Sequence, residues 1–271
     1  MKKYILWILL FYAVALQGQN GYLLKENIPY VDGNEQDSYR KERCKLDIYY
    51  PTDKKDFATI VWFHGGGLEA GSKDIPAELK EKGIAVVTVN YRLSPRAQSP
   101  AYVDDAAQAV AWAMDNIASY GGDPSRIYVS GHSAGGYLAL MVGMDKSYLL
   151  KYGKDANDIC GLVPISGQTN THYTIRKERG LPRPDILPYI DEMAPICRAR
   201  SDAPPTILIT GDRRYEMNSR YEENAHLNVV LQGLGCKNVE LYEMQGFDHG
   251  SVCAPGCLFM IDWIKKQEKN K

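Results

Sequence analysis

The sequence predicts an α/β protein with a mostly parallel sheet covered by helices on both faces. Short apolar runs rich in Val, Ile and Tyr alternate with stretches of helical spacing, as in strands joined by crossover helices. Residues 84–90 are almost continuously apolar, which is typical of a strand buried on both faces. The chain has 271 residues, of which 45% are hydrophobic, and no linker or repeat divides its sequence. We therefore expect a single domain over residues 19–271.

The individual elements follow from local periodicity and from the Gly and Pro residues between them. Seven strands are predicted, at residues 44–50, 58–64, 84–90, 126–132, 159–165, 206–211 and 238–244. Four helices are predicted, at residues 101–119, 134–145, 219–234 and 258–267.

One stretch, residues 168–205, breaks the alternation of strands and helices. It contains six prolines and lies between the fifth and sixth predicted strands. In open α/β sheets, ligands bind beyond the carboxyl ends of the strands, where such an insertion would overhang them. We expect a lid or cap, and the alternative is a long surface excursion.

The first residues have the pattern of a cleaved export signal. Lys2 and Lys3 precede an apolar run over residues 4–16, and small polar residues follow it. This run is shorter than the roughly 20 residues that a membrane-spanning helix needs. The first cysteine, Cys44, lies too far along the chain to carry a lipid anchor. We expect removal of residues 1–18, a secreted or periplasmic protein, and no stable membrane anchor.

Charge and cysteine content argue against two other classes of protein. The chain has 32 Lys and Arg residues against 33 Asp and Glu residues. It therefore lacks the excess of basic residues that is typical of nucleic-acid-binding proteins. Of the six cysteines, only Cys253 and Cys257 have a spacing close to that of zinc ligands, and no second cluster accompanies them. We expect no metal. Export favours disulfides or inert buried thiols, with the pairing left open.

The strongest motif is Gly131-His-Ser-Ala-Gly135, which follows a predicted strand and precedes a predicted helix. This is the Gly-x-Ser-x-Gly nucleophile elbow in its strand-turn-helix setting. A serine hydroxyl is a weak nucleophile at neutral pH and must be held where a base can take its proton. The sequence therefore predicts Ser133 as a nucleophile.

A glycine-rich loop, His64-Gly-Gly-Gly67, ends the second predicted strand. Its backbone amides are unshielded and suit a carbonyl oxygen that becomes negative during acyl transfer, where one fixed donor contributes about 3 to 4 kcal/mol. Phosphate binding is the rival interpretation, but no Gly-Lys-Ser/Thr sequence follows. His64 itself is expected to be a structural hydrogen-bonding residue.

Two further motifs, Asn90-Tyr-Arg-Leu-Ser-Pro and Gly121-Gly-Asp-Pro, accompany the elbow and the glycine loop. Together the four resemble the hormone-sensitive-lipase-like, or carboxylesterase, branch of the α/β-hydrolases, over residues 44–263. The resemblance implies the α/β-hydrolase fold and an oxyanion hole formed by the amides of Gly66, Gly67 and Ala134. The chain departs from the family's usual Tyr-Arg-Leu-Ala-Pro-Glu at Ser94 and Arg96, and residues 168–205 are not the amino-terminal helical cap of the larger lipases.

The catalytic base is sought among the histidines after Ser133, because this fold has the chain order serine, acid, histidine. His172 lies in the predicted lid, and His226 lies within a predicted helix. His249 stands in a glycine-flanked loop between the last predicted strand and the last predicted helix. We therefore predict His249 as the base.

The acid that orients this histidine is expected just after the strand at residues 206–211. Asp212 follows that strand directly and is the predicted acid. Glu216, four residues later, is the alternative. Asp248 adjoins the base in sequence, and a neighbour's side chain is expected to point away from it.

These residues predict a secreted serine carboxylic-ester hydrolase with the triad Ser133, His249 and Asp212 and without a cofactor. The expected substrates are short-chain or carbohydrate-linked acyl esters, as small molecules or on saccharides. The alternatives are an amidase or peptidase with the same triad and a ligand-binding protein that has lost the chemistry.

Overall fold

A computed structural model describes residues 21–269 of the chain, so the export signal expected over residues 1–18 lies outside the described residues. The strands are β1 (Tyr22–Pro29), β2 (Lys45–Pro51), β3 (Phe57–Phe63), β4 (Ala85–Val89), β5 (Gly122–His132), β6 (Gly161–Ile165), β7 (Thr206–Gly211) and β8 (Val239–Met244). They form an eight-stranded sheet in the order β1-β2-β4-β3-β5-β6-β7-β8. Strands β3 to β8 pair in parallel, and β1 and β2 are antiparallel. The prediction of a mostly parallel sheet is confirmed.

Helices cover both faces of this sheet. They are α1 (Ser38–Arg43), α2 (Ala101–Asn116), α3 (Ala134–Met144), α4 (Lys146–Leu150), α5 (Tyr173–Glu178), α6 (Arg220–Gly233) and α7 (Cys253–Lys269). Within residues 21–269, none of the helices is long and apolar enough to cross a membrane.

Strand β3 shows how the two faces are built. Val61 and Phe63 pack into a core shared with α2, α3 and α6. Ile60 and Trp62, which alternate with them, pack into a second core that includes α7. Because successive side chains of a strand point to opposite faces, an almost continuously apolar strand serves both cores.

Besides the short helices α1, α4 and α5, which the sequence does not predict, strand β1 and helix α7 differ from the sequence-based expectation. Strand β1 was not predicted, because it is an edge strand with mostly exposed side chains and a register shift between Lys25 and Ile28. Helix α7 begins at Cys253, five residues earlier than predicted. Pro255 lies in its first turn. Backbone amides there have no acceptor within the helix, so proline, which lacks the amide hydrogen, costs no helical hydrogen bond.

Residues 168–205, here called the β6–β7 segment, connect β6 to β7 and include α5. The start of the segment is tied to α6: the Thr169 hydroxyl donates to the Glu223 carbonyl at 2.8 Å. Its α5 lies on the glycine loop after β3, because the Thr174 hydroxyl donates to the Gly67 carbonyl. The segment thus lies at the carboxyl edge of the sheet.

Candidate active site

The nucleophile elbow is a strained turn between β5 and α3. Ser133 has φ 57° and ψ −115°, a conformation rare for residues other than glycine. The turn is also crowded, since a Cβ on Gly135 would lie 1.9 Å from the carbonyl oxygen of Phe63. Only glycine fits there, and the close approach of α3 to β3 presents the Ser133 side chain above the sheet.

His249 contacts the Ser133 hydroxyl from the loop after β8. The distance from His249 Nε2 to Ser133 Oγ is 2.8 Å. In the tautomer with a proton on Nδ1, Nε2 is free to accept the serine hydrogen. The structure thus brings together the two residues that the sequence predicts as nucleophile and base.

Glu216, and not Asp212, is the carboxylate that contacts His249. His249 Nδ1 lies 2.5 Å from Glu216 Oε1. The expectation that Asp212 forms this contact is wrong, because both of its oxygens are used elsewhere. They accept hydrogen bonds from Arg214 at 2.9 Å and 2.5 Å, and from the Gly246 amide at 2.9 Å.

The turn after β7 explains why Glu216, and not Asp212, contacts His249. The Glu216 amide donates to the Asp212 carbonyl at 2.8 Å, so the chain makes a helical turn immediately after the strand. This turn brings residue 216 beneath the imidazole of His249 and leaves Asp212 to fix the turn through Arg214. The third sequence candidate, Asp248, accepts from Gly250 and Ser251 at 3.1 Å and 2.8 Å and holds its own loop.

Glu216 is held ionised by a dense set of donors. Its side chain is 1% exposed. Ser166 Oγ and the Gly211 amide donate to Oε2 at 2.6 Å and 3.1 Å, and the Met217 amide donates to Oε1 at 2.9 Å. Burial opposes ionisation, but the hydrogen bonds from His249 and Ser166 outweigh it and lower the pKa of Glu216 to about 2. A buried carboxylate in this state stabilises an imidazolium on His249.

Three backbone amides, those of Gly66, Gly67 and Ala134, are predicted to form an oxyanion hole. Ala134 is the first residue of α3, where amides have no helical acceptor. Gly66 and Gly67 have φ values of 110° and 65° in the loop after β3. The neighbouring Gly65 lies against the nucleophile, because a Cβ on it would be 3.5 Å from Ser133 Cβ. No hydrogen bond among residues 21–269 uses the amides of Gly66, Gly67 or Ala134.

The loop after β3 is supported by the Asn90-Tyr-Arg motif. Tyr91 donates to the His64 carbonyl at 2.8 Å, and the two rings stack with centroids 4.4 Å apart. Burial lowers the pKa of His64 to about 4, so His64 is neutral and structural. Arg92 forms a bidentate pair with the buried Asp105 of α2, at 2.8 Å for each bond. The Asn90-Tyr-Arg segment therefore anchors the glycine loop to the core.

The other histidines have different environments. His172 is buried and caps α5 by accepting from the Thr174 amide, and His226 is exposed on α6. His132, which sequence reasoning did not assign, donates from Nε2 to the His249 carbonyl at 2.7 Å. Burial and the neighbouring His249 lower the pKa of His132 to about 4, which keeps it neutral. His132 occupies the first variable position of Gly-x-Ser-x-Gly, next to the nucleophile, and this position is the only sequence feature that points to the contact.

The cysteines do not take part in this site. Cys44, Cys197, Cys236, Cys253 and Cys257 are free thiols in the structure. Among residues 21–269, no group of three or more His, Cys, Asp or Glu side chains is arranged to hold a metal ion.

Comparison with known proteins places this site in a family. Residues 46–229 match the family model BD-FAE. The esterase LipQ of Mycobacterium tuberculosis is 26% identical over 248 aligned residues, which cover 82% of this chain and 56% of LipQ. The chain spans about half the length, or less, of the curated relatives it matches.

Solved structures share the fold. A truncated carbohydrate esterase from gut microbiota has a TM-score of 0.74 at 21% identity, covering 93% of this chain and 99% of that chain. A bifunctional GH43-CE protein of Bacteroides eggerthii has a TM-score of 0.72 at 22% identity, covering 90% of this chain and 35% of that chain. These likenesses confirm the α/β-hydrolase fold. Because the matched residues make up more than half of the chain, this protein belongs to the BD-FAE family of α/β-hydrolases.

Proposed function

We propose that the protein is a serine carboxylesterase with the triad Ser133, His249 and Glu216. The observation that carries this proposal is the continuous hydrogen-bonded relay from Ser133 Oγ through His249 to Glu216, with distances of 2.8 Å and 2.5 Å. Nucleophile, base and orienting acid in this geometry are the parts that acyl transfer needs.

In the first step, Ser133 Oγ attacks the ester carbonyl carbon while His249 Nε2 takes the hydroxyl proton. The carbonyl oxygen becomes an oxyanion, which the amides of Gly66, Gly67 and Ala134 stabilise. Glu216 stabilises the imidazolium formed on His249. The carbon–oxygen bond to the alcohol then breaks, and the alcohol leaves with the proton from His249.

In the second step, His249 takes a proton from water, and the resulting hydroxide attacks the acyl-enzyme carbonyl. The bond to Ser133 Oγ breaks, and the serine recovers its proton from His249. The carboxylic acid product leaves, and the described residues return to their starting protonation states. The chemistry requires no cofactor.

The proposed substrates are short-chain or carbohydrate-linked acyl esters. Two observations support this proposal: LipQ is called an esterase, and the structurally similar gut-microbiota protein is called a carbohydrate esterase. The crowding of the glycine loop by α5 also favours a small acyl group, because the Tyr173 hydroxyl would lie 1.9 Å from a Cβ on Gly67.

Substitution of the nucleophile tests the proposed reaction. We expect Ser133→Ala to lower kcat for p-nitrophenyl acetate by on the order of 10⁶-fold while the protein stays folded, because the covalent step is lost. A fluorophosphonate probe should label the parent protein and not the variant. Equal hydrolysis rates for the parent and the Ser133→Ala variant would show that the assignment is wrong.

A further inference from the structure

A cavity of about 310 Å³ lies between the β6–β7 segment and the start of α6. It adjoins the catalytic centre, because Glu216 and Tyr173 are both part of its wall. Glu216 contacts His249, and the Tyr173 hydroxyl lies against Gly67. The cavity is at the lower end of the roughly 300–1,000 Å³ typical of ligand sites, so it suits one small group of a substrate held at Ser133.

One wall of this cavity holds a buried guanidinium with an unused donor. Arg176 is 5% exposed. Its Nη1 donates to the Leu187 carbonyl, but its Nε has no hydrogen-bond partner among residues 21–269. A buried donor without an acceptor is costly and uncommon in folded proteins. The guanidinium therefore has hydrogen-bonding capacity left over for a ligand oxygen in the cavity.

Other polar groups of the wall supply both donors and acceptors. In the described chain, the side chains of Asn170, Asp185 and Asn218 line the cavity and form no hydrogen bond with protein groups. Tyr173 and Ile186 add apolar surface beside them. Aromatic and aliphatic surface next to mixed donors and acceptors matches a ring that has hydroxyl groups on its edge and C–H groups on its faces.

The charges of the wall argue against an anionic ligand. Two guanidinium groups, those of Arg176 and Arg220, face three carboxylates, those of Asp185, Glu216 and Glu223. Arg220 is already paired with Glu223 at 3.1 Å and donates to the Ser166 carbonyl. The cavity therefore has no excess positive charge, and a ligand carboxylate would meet carboxylates of the protein.

We propose that this cavity is the subsite for the neutral sugar of a carbohydrate ester, with Arg176 donating to a ring or hydroxyl oxygen. The inference rests on the proposed esterase function and assigns the alcohol side of the ester to the β6–β7 segment. Arg176 is then a specificity-determining residue, which contacts the sugar and takes no part in proton transfer.

The test compares Arg176→Met with Arg179→Met on two substrates. Arg179 is a matched control, because it lies in the same segment, pairs with Asp191 and Glu192, and does not line the cavity. We expect Arg176→Met to lower kcat/KM for a monoacetylated methyl glucopyranoside at least tenfold, mainly through KM. This loss equals about 1.4 kcal/mol. Hydrolysis of p-nitrophenyl acetate should stay within twofold, and Arg179→Met should leave both substrates within twofold.

A second variant covers the case in which Arg176→Met does not fold. Asn170→Ala removes a half-buried cavity group that forms no side-chain hydrogen bond, and it should lower activity severalfold on the sugar ester only. Equal losses on both substrates, or no loss on the sugar ester, would overturn the subsite. A parent enzyme that prefers the matching acetylated glucuronoside would also overturn it, in favour of an anion site. Failure of the parent on p-nitrophenyl acetate would instead refute the proposed esterase function.

Discussion

The nucleophile elbow (residues 131–136) and the acid loop (residues 211–216) both follow parallel strands and both supply a residue of the proposed triad. In the elbow, backbone crowding decides the geometry, since a Cβ on Gly135 would lie 1.9 Å from the Phe63 oxygen. In the acid loop, the partners of two carboxylates decide it. Arg214 and the Gly246 amide bind Asp212, and Ser166 and His249 bind Glu216.

The difference separates two kinds of structural determinant. Steric constraints are local and leave a sequence pattern, because glycine alone tolerates them. Hydrogen-bond partners come from distant parts of the chain, as Ser166 and His249 do for Glu216. A motif therefore identifies the elbow, whereas the acid depends on tertiary structure.

Adding one methyl group to the elbow should have the largest effect on stability. We expect Gly135→Ala to lower the free energy of unfolding by about 3 kcal/mol, because the backbone of β3 must move to relieve the overlap. Denaturant unfolding measures this change. Gly233→Ala is the control, because a Cβ there meets nothing within 4 Å and its helix should be unchanged or slightly stabilised. Equal stabilities of the two variants would show that steric fit does not define the elbow.

The stability that the acid loop contributes should depend on pH, because it comes from the ionised side chain of Glu216. The pKa of Glu216 is about 2 in the folded protein, against an ordinary value of 4.5. The stabilisation by ionised Glu216 is therefore complete above about pH 4.5 and is lost as the pH falls towards 2, up to about 3 kcal/mol in all.

The measurement compares unfolding free energies of the parent and Glu216→Gln between pH 6 and pH 3. The advantage of the parent should shrink as the pH falls. A constant difference would mean that Glu216 is not held ionised by His249 and Ser166.

A smaller effect is expected where the elbow touches the histidine loop. His132→Phe removes the hydrogen bond to the His249 carbonyl, so we expect kcat for p-nitrophenyl acetate to fall about tenfold with little change in KM. His132→Gln retains a donor and should recover part of the loss. A change confined to KM would indicate that His132 contacts the substrate and does not position His249.

Most of the sheet is predictable from the sequence because its strands are buried. Strands such as β3 and β4 serve two cores, so they are buried throughout and apolar at all but one position each. Strand β1 lies at the edge of the sheet, and most of its residues are exposed, so its sequence has no apolar pattern. The early start of α7 was missed because Pro255 is read as a helix breaker, although it lies where proline is tolerated.

The candidate site divides in the same way. Ser133 and His249 follow from a motif and from chain order, and both lie where the sequence places them. The sequence does not predict the carboxylate that contacts His249, because proximity to the end of a strand does not specify which way a side chain points. The buried Arg176, whose Nε has no partner in the described chain, had no sequence signal, since its burial depends on how the β6–β7 segment packs against α6.

We propose that Glu216, and not Asp212, is the acid of the triad. The most direct test measures kcat for p-nitrophenyl acetate in Glu216→Gln and Asp212→Asn, two substitutions that each remove one charge and keep the shape. Glu216→Gln should lower kcat by on the order of 10⁴-fold, because the imidazolium of His249 loses its counter-charge. Asp212→Asn should lower kcat less than about tenfold, since it loosens only the Arg214 turn. A larger loss in Asp212→Asn than in Glu216→Gln would show that Asp212 is the acid.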